Sequence, residues 1–279
     1  MSGAGTITLG GDLVVDRMGF GAMRITGDGI WGPPRDPDGA LAVLRRAVEL
    51  GVEFIDTADA YGPDVSEELI AQALAPYDGL VIATKAGLTR SGPGRWHPDG
   101  RPGHIRAALE GSLRRLRLER IDLYQFHRPD PEVPFEEPLG TFVEAQSEGR
   151  IRHIGLSNVN VEQLERGLAM AEIVSVQNRY SVVDRSSQDV LDACAARGIA
   201  FIPWGPLGGG AADAGGALAR IAAAHGASAS QIALAWLLAI SPVMLPIPGT
   251  SRVEHLEENL AAAEIELSAA EVEELNQAG

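Results

Sequence analysis

Three consecutive predicted strands end in polar side chains whose types suit acid catalysis. Asp56 ends the run VEFID, Lys85 ends LVIATK and His127 ends IDLYQFH, while Tyr61 lies in the loop that follows Asp56. The C-terminal ends of the strands of a barrel meet at one face, so we expect these four side chains to lie together. A phenol beside an ammonium, a carboxylate and an imidazole can donate a proton to a carbonyl oxygen.

Lys85 carries the strongest of these signals. It is the only lysine among the 23 basic residues of the chain, and all the others are arginine. An ammonium is a compact charge that fits between a carboxylate and a phenol, whereas a guanidinium is bulkier, forked and always charged. At about 4 Å it contributes up to about 4 kcal/mol to a phenolate, so we predict that Lys85 lowers the pKa of Tyr61 towards neutrality. Asp56 then holds Lys85 in place, and His127 donates to the same carbonyl oxygen.

Each of the other three residues has an alternative interpretation when it is taken alone. Asp56 is also suited to cap the turn that follows it. Tyr61, next to a Gly-Pro pair, is also suited to anchor its loop. His127 is also suited to a hydrogen-bonded position in the core. Their occurrence at successive strand ends favours the catalytic interpretation.

Short β-branched segments alternate with longer amphipathic segments along the chain. Eight such strand and helix units run from RMGFGAM with ALAVLRRAVEL to VMLPI with SRVEHLEENLAAA. Strands that are nearly all apolar are typical of a parallel sheet covered by helices. We therefore predict an α/β fold, a single (β/α)8 TIM barrel that forms one domain over residues 1–279. TITLGGDLVV is predicted to form an N-terminal β-hairpin that plugs the bottom of the barrel, and SAAEVEELNQ a final helix.

Composition and failed motifs exclude several other classes. A net charge of −15 over 279 residues disfavours nucleic acid as a partner. The start of the chain does not resemble a signal peptide, and the single cysteine, Cys194, cannot form an internal disulfide, so we expect a cytoplasmic protein. Serine and proline interrupt the longest apolar stretch, so we expect no membrane segment. GFGAMR has Arg24 where a Rossmann motif needs its third glycine, and the histidines form no metal-binding pattern.

DTADAYG, followed by Lys85 and His127 at strand ends, resembles the aldo-keto reductases over nearly the whole chain. GLSN, VQNRY and IPGTSRVEHLEENL follow in the order that this family uses. The resemblance implies a barrel that binds NADP(H) without a Rossmann fold and an enzyme that reduces a carbonyl compound. It also implies that Tyr61 is the proton donor, supported by Lys85, Asp56 and His127.

The resemblance also implies a set of cofactor contacts. It places Ser157, Asn158 and Gln177 at the nicotinamide carboxamide and Trp204 under the ring, and it assigns the adenosine phosphate to the segment 249–259. The implied contacts are Gly21, Met23, Ser157, Asn158, Gln177, Trp204, Gly205, Leu207, Gly249, Thr250, Ser251, Arg252, Glu258 and Asn259. The chain departs from the family at Gly249, where many members have lysine, and at His255, where many have arginine. A preference for NADP over NAD then rests mainly on Arg252.

WGPPRD, YGP and the closing IPGTS resemble the bacterial branch of the family that includes pyridoxal reductases. We predict that Trp31 and Trp96 line the pocket of a small carbonyl substrate, although Trp31 is equally suited to a surface plug. The loop 87–103 is expected to wall the substrate, and the loop 205–216 to fold over the cofactor diphosphate. Two other functions stay open: a cofactor-binding redox sensor or accessory subunit with negligible turnover, and a barrel with other chemistry, such as isomerisation. The oligomeric state does not follow from the sequence.

Overall fold

The computed structural model of the chain describes residues 3–208 and 215–278. Its strands are β1 (Thr6–Leu9), β2 (Leu13–Asp16), β3 (Phe20–Gly21), β4 (Phe54–Asp56), β5 (Val81–Ala86), β6 (Leu88–Gly92), β7 (Arg95–Pro98), β8 (Ile121–Phe126), β9 (Ile151–Ser157), β10 (Ile173–Gln177) and β11 (Ala200–Phe201). Its α-helices are α1 (Pro37–Glu49), α2 (Val65–Leu74), α3 (Pro102–Leu116), α4 (Glu136–Ser147), α5 (Val161–Leu168), α6 (Gln188–Ala195), α7 (Gly215–His225), α8 (Ala229–Ile240), α9 (Val253–Ala261) and α10 (Ala269–Gln277). Two 3-10 helices cover Ala22–Ile25 and Ala262–Glu264.

Parallel strands form the central sheet and place the predicted site residues at one level. Seven of the described strands are hydrogen-bonded in the order β11, β10, β9, β8, β5, β4, β3. Asp56 pairs with Ala83 and Lys85 pairs with Gln125, so the strand ends are in register. The predicted alternation of strands and helices is confirmed, because apolar strands pack under the helices that connect them.

The segment 243–248 closes this sheet into a barrel. The N–H of Phe201 in β11 donates to Val243 O at 2.8 Å, and the N–H of Gly19, just before β3, donates to Pro246 O at 2.9 Å. The segment is the predicted eighth strand, but it forms single bridges rather than a regular ladder. Pro246 and its neighbour Pro248 lack the N–H that a central strand must donate.

The predicted N-terminal hairpin is confirmed and lies at the N-terminal ends of the barrel strands. β1 and β2 pair antiparallel around a turn in which Gly10 has a φ of +56°. Leu9 and Val15 are buried in the core. The carboxylate of Asp12 accepts a hydrogen bond from Arg152 at 2.6 Å, next to the start of β9, so the hairpin covers the end of the barrel opposite the strand-end residues.

A second hairpin, β6 with β7, occupies part of the predicted loop 87–103. The sequence predicts a loop there that walls the substrate, and glycine in such a segment permits both order and disorder. The structure instead pairs Leu88 with Pro98 and Arg90 with Trp96 across a turn at Pro93 and Gly94. The hairpin carries Trp96 back towards the strand ends.

Local sequence signals set several helix starts. Asp36 caps α1 by accepting from the N–H of Gly39, and Pro37 occupies the first helical position. Ser228 and Ser268 form capping boxes at α8 and α10. Across residues 3–208 and 215–278, no single helix has the length and apolar character of a membrane span; the pair Gly216–His225 and Ala229–Ile240 has them jointly but is bent by 94°.

The packing of the β1–β2 hairpin against the core predicts that substitutions at two neighbouring valines change the free energy of unfolding by different amounts. Val15 is fully buried and Val14 is 60% exposed. We expect Val15→Ala to lower the free energy of unfolding by about 2 kcal/mol, because it removes buried methyl groups and leaves a cavity. Val14→Ala should change it by less than about 0.5 kcal/mol. Chemical denaturation followed by circular dichroism measures both, and equal effects would contradict the packing of the hairpin against the core.

Candidate active site

A fully buried ammonium lies at the centre of the strand-end cluster. Lys85 Nζ donates to Asp56 Oδ1 at 2.6 Å, to Thr57 O at 2.8 Å and to Tyr61 Oη at 3.3 Å. Lys85 is 0% exposed and Asp56 2% exposed. All three donors of the ammonium therefore have partners, which is the condition for burying a charge in a protein.

Two glutamine amides complete the surroundings of Asp56. Its Oδ2 accepts from Gln125 Nε2 at 3.0 Å and from Gln177 Nε2 at 2.8 Å. The family resemblance assigns Gln177 to the nicotinamide carboxamide, and in the structure its amide nitrogen bonds to Asp56. The sequence analysis missed Gln125 altogether. Its one signal is a polar residue inside the apolar run IDLYQFH, two residues before His127.

Backbone hydrogen bonds hold the loop that carries Tyr61. The N–H of Thr57 donates to Ala83 O at 2.8 Å, and the N–H of Tyr61 donates to Ala58 O at 3.1 Å. The hydroxyls of Thr57 and Ser66 are 2.7 Å apart, which ties the loop to the first turn of α2. The phenol is thereby held against Lys85 by its own loop as well as by the ammonium.

The pKa shifts of the buried pair correct one expectation. Burial raises the pKa of Tyr61, the Lys85 ammonium lowers it by less, and the Asp56 carboxylate raises it further, so the net direction is upward. The sequence predicts the opposite direction because it shows the charges but not the loss of solvent. Burial lowers the pKa of Lys85, but Asp56 and Tyr61 together outweigh it and raise that pKa. Tyr61 is thus protonated and Lys85 charged at neutral pH.

His127 lies beside Tyr61 and is neutral. The two rings are 5.8 Å apart in edge contact. Burial and the nearby charges of Lys85, Arg128 and Arg90 hold the pKa of His127 well below its usual value. A neutral imidazole offers one N–H and one acceptor nitrogen, so His127 can donate to a substrate oxygen.

Trp96 completes an aromatic wall around the phenol. Its ring centroid lies 6.2 Å from Tyr61 and 6.5 Å from His127, with edge-to-face geometry in both pairs. Trp31, the other predicted substrate residue, is 37% exposed and has no ring contact with Tyr61 or His127. The structure therefore places Trp96 against Tyr61 and His127, whereas the Trp31 side chain is partly exposed and contacts neither ring.

Three of the predicted nicotinamide contacts form one hydrogen-bonded chain. Trp204 Nε1 donates to Asn158 Oδ1 at 3.1 Å, and Asn158 Nδ2 donates to Ser157 Oγ and to His127 O, both at 3.0 Å. Asn158 has a φ of +58°, a conformation that asparagine tolerates better than most residues. The chain joins the half-buried Trp204 ring to the catalytic candidates.

A cavity of about 520 Å³ brings together two distant predicted cofactor segments. It is lined by Met23 and Arg24, in the 3-10 helix that follows β3, and by Thr250 and Ser251 before α9. Gly21 and Gly249 pack closely behind it, since a Cβ at Gly249 would lie 2.4 Å from Gly21 O. A glycine at position 249 is thus required by the close backbone approach in this chain.

Arg24 is a candidate anion contact that the sequence analysis missed. It is exposed on the cavity and has no hydrogen bond or ion pair to any part of the chain that the structure describes. Its Cγ would lie 3.7 Å from a Cβ at Gly249. The Arg24 side chain therefore starts beside Gly249. At position 249 this chain has glycine where many members of the family have lysine. The signal in the sequence is a basic residue directly after RMGFGAM, the first predicted barrel strand.

The other predicted cofactor residues lie around α9 and after β11. Arg252 is exposed, with Nε 3.5 Å from Glu254 Oε2, while Asn259 is buried and Glu258 half-buried. Gly205 is exposed in a turn and Leu207 packs against the core. Of the predicted loop 205–216, residues 209–214 lie outside the described part of the chain.

The sequence profile of the aldo/keto reductase family matches residues 17–279. The chain belongs to the aldo/keto reductase family. The predicted family and its α/β barrel are thereby confirmed, and the protein is an oxidoreductase of this family.

This aldo/keto reductase shares 51% identity over 279 residues with an uncharacterized oxidoreductase of Schizosaccharomyces pombe, covering 100% of this chain and 91% of the relative. It shares 44% identity over 271 residues with pyridoxine 4-dehydrogenase of Escherichia coli, covering 94% of each. The second similarity agrees with the branch that the sequence motifs indicate. The solved structure of an aldo/keto reductase from Klebsiella pneumoniae in complex with NADP and acetate superposes with a TM-score of 0.82 at 26% identity, covering 98% of this chain and 94% of that chain.

The buried pair predicts a stability test for this aldo/keto reductase. Lys85→Met should lower the free energy of unfolding by about 3–5 kcal/mol, because it leaves the Asp56 carboxylate buried without its counter-ion. The double variant Asp56→Asn with Lys85→Met should be more stable than Lys85→Met, since a neutral amide needs no counter-ion. Urea denaturation of the three proteins measures the difference. A double variant no more stable than the single one would contradict the charge pairing.

Proposed function

We propose that the protein reduces an aldehyde or ketone to the alcohol with NADPH, and that Tyr61 is the proton donor. The observation that carries the proposal is the buried Lys85 ammonium, which bonds to Asp56 and Tyr61 at the C-terminal ends of the barrel strands. A phenol held in this way is an acid aimed at the mouth of the barrel, where TIM-barrel enzymes bind substrate. Asp56 ends β4, Lys85 lies near the end of β5, and Tyr61 lies in the loop that follows β4.

When bound, NADPH supplies the hydride that forms the new C–H bond at the carbonyl carbon. Tyr61 donates its hydroxyl proton to the carbonyl oxygen as the C=O double bond becomes a single bond. Lys85 stabilises the phenolate that Tyr61 becomes, an interaction of about 4 kcal/mol for charges 4 Å apart at an effective dielectric of 20. Asp56 keeps the ammonium charged and in place. His127, as a neutral donor, orients the oxygen that receives the proton.

In the direction of reduction, Tyr61 must carry its proton before the hydride arrives. A phenol is already protonated at neutral pH, and burial, by raising the pKa of Tyr61, keeps it in this form. The nearby ammonium contributes most once the proton has left and the phenolate charge has formed. The site therefore favours the transition state more than the resting state, which is the condition for catalysis.

The residues around the cavity fit a dinucleotide. Arg24 presents a cation beside Thr250 and Ser251, and this cation has no ion-pair partner among the residues that the structure describes. The half-buried Trp204 offers a ring face for stacking, and Asn158 offers an amide next to it. We assign Arg24 to the diphosphate, because it lies on the cavity, and Arg252 to the adenosine phosphate, because it lies at the outer start of α9.

The aromatic wall points to the class of substrate. Tyr61, Trp96 and His127 surround the reaction centre with ring edges and faces, which suit a flat aromatic carbonyl compound. The similarity to pyridoxine 4-dehydrogenase supports a pyridine aldehyde such as pyridoxal. We therefore propose pyridoxal-like aldehydes as the preferred substrates.

Removal of the Tyr61 hydroxyl tests the mechanism. We expect Tyr61→Phe to lower kcat for an aldehyde panel that includes pyridoxal by about 1,000-fold or more, since the proton donor is lost, while the Kd for NADPH changes by less than about twofold. Tyr77→Phe is the control, because the Tyr77 hydroxyl is also buried but donates to Leu116 O. NADPH absorbance measures turnover and fluorescence titration measures binding.

Three results would contradict the proposal. Wild-type protein that binds NADPH tightly but reduces no member of the panel would indicate a redox sensor. Wild-type protein that binds no nicotinamide cofactor would indicate another barrel chemistry. Equal turnover by Tyr61→Phe and wild type would leave the reductase without this proton donor.

Two arginines predict different cofactor effects. Arg24→Met should raise the Kd of both NADPH and NADH by about tenfold, because the diphosphate is common to both cofactors. Arg252→Met should weaken NADPH more than NADH, because only NADPH carries the additional phosphate. Arg114→Met, at an exposed position of α3, is the control and should change neither value. Calorimetric titration of the three variants and the wild type measures the Kd of each for both cofactors. A uniform response of Arg24→Met and Arg252→Met would refute the assignment.

A further inference from the structure

The guanidinium of Arg90 uses all five of its N–H groups on backbone carbonyls. The acceptors come from its own hairpin and from two neighbouring loops, at distances of 2.8–3.3 Å. They are the carbonyl oxygens of Gly29, Ile30, Ala60, Gly92 and Arg95. A guanidinium with every donor satisfied has none left for a substrate anion, so Arg90 acts by holding the protein around it.

The carbonyls that Arg90 binds belong to three segments around the substrate side of the site. Gly92 and Arg95 are in the β6–β7 hairpin, Ile30 is in the loop before Trp31, and Ala60 directly precedes Tyr61. The loop at Gly32 also bonds to the loop of Tyr61, through its N–H and the carbonyl of Gly62. Arg90 thus joins the β6–β7 hairpin and the loop 29–32 to the loop that carries Tyr61, the proposed proton donor.

The same guanidinium stacks on the aromatic wall. Its carbon Cζ lies 3.5 Å from the ring centroid of Trp96 and 5.8 Å from that of Trp31. A cation over the face of an indole is an attractive contact that also fixes the plane of the ring. Trp96 then presents its ring to Tyr61 and His127 in the observed edge-to-face geometry.

We propose that Arg90 is a positioning residue that sets the preference for aromatic carbonyl substrates, by fixing Trp96 against Tyr61. The inference rests on the proposed reductase function and adds to it the group that orients the substrate wall. An arginine is required because lysine supplies three donors without planar geometry, against the five acceptors present. Trp31 takes part through Arg90 at the rim rather than by contact with the phenol.

The test compares an aromatic with an aliphatic aldehyde in three variants. In Arg90→Met we expect kcat/KM for benzaldehyde to fall about tenfold or more, mainly through KM, because the indole loses its cation and its fixed plane. For propanal, which needs no ring contact, kcat/KM should fall less than about threefold, and the Kd for NADPH should stay within about twofold. Arg90→Lys should lie between Arg90→Met and wild type. Arg95→Met, an exposed arginine of the same hairpin, should match wild type with both aldehydes.

An equal loss for both aldehydes, or no loss, would overturn the inference. Amide hydrogen exchange gives a readout that does not depend on turnover: Arg90→Met should speed exchange in residues 88–98 and 58–62, whereas Arg95→Met should not. Unchanged exchange in Arg90→Met would overturn the inference even if the wild type reduced neither aldehyde. Failure of the proposed function is separate, since it shows as an inactive wild type with intact Arg90-dependent protection.

Discussion

The buried ammonium of Lys85 is the interaction on which the candidate site depends. A charge that is 0% exposed is tolerated because each of its three donors has an acceptor, one of them a carboxylate. Asp56 in turn shares its second oxygen between the amides of Gln125 and Gln177. Four strands meet in this one network, so the charge pair also fixes how the strand ends sit relative to each other. The cost of dehydrating two ions is offset by a set of contacts that only the closed barrel can provide.

Barrel closure explains why these residues meet at all. Asp56 and Gln177 are separated by 121 positions in the chain, and their contact depends on strands that curve around to the same end. The segment 243–248 completes the ring with a few backbone bonds on each side instead of a full ladder. Its prolines limit the number of bonds, and the N-terminal hairpin covers the opposite end. The site end of the barrel is left to loops, which carry function on a rigid frame.

The two sides of the site are built differently. On the side of the predicted nicotinamide contacts, a hydrogen-bonded chain links Trp204, Asn158 and Ser157 and reaches the backbone of His127. On the side proposed for the substrate, the rings of Tyr61 and Trp96 contact each other, and the Arg90 guanidinium stacks on Trp96 and binds the surrounding backbone carbonyls. The hydrogen-bonded chain on one side reaches His127, and the aromatic rings on the other side surround Tyr61, which lies beside His127. This division matches a reaction in which a polar cofactor and a less polar carbonyl compound approach one phenol.

From local patterns and motifs, the sequence predicts the alternation of strands and helices, the polar residues Asp56, Lys85 and His127 at the strand ends, and the family. It did not determine the direction of the Tyr61 pKa shift, since burial is a property of the packed site. Nor did it indicate the amide of Gln125, whose partner lies on another strand. The five backbone carbonyls around Arg90 likewise come together only when the β6–β7 hairpin and two neighbouring loops have packed. Residue types and spacing fix which groups are available, whereas tertiary packing decides their solvent, their partners and therefore their chemistry.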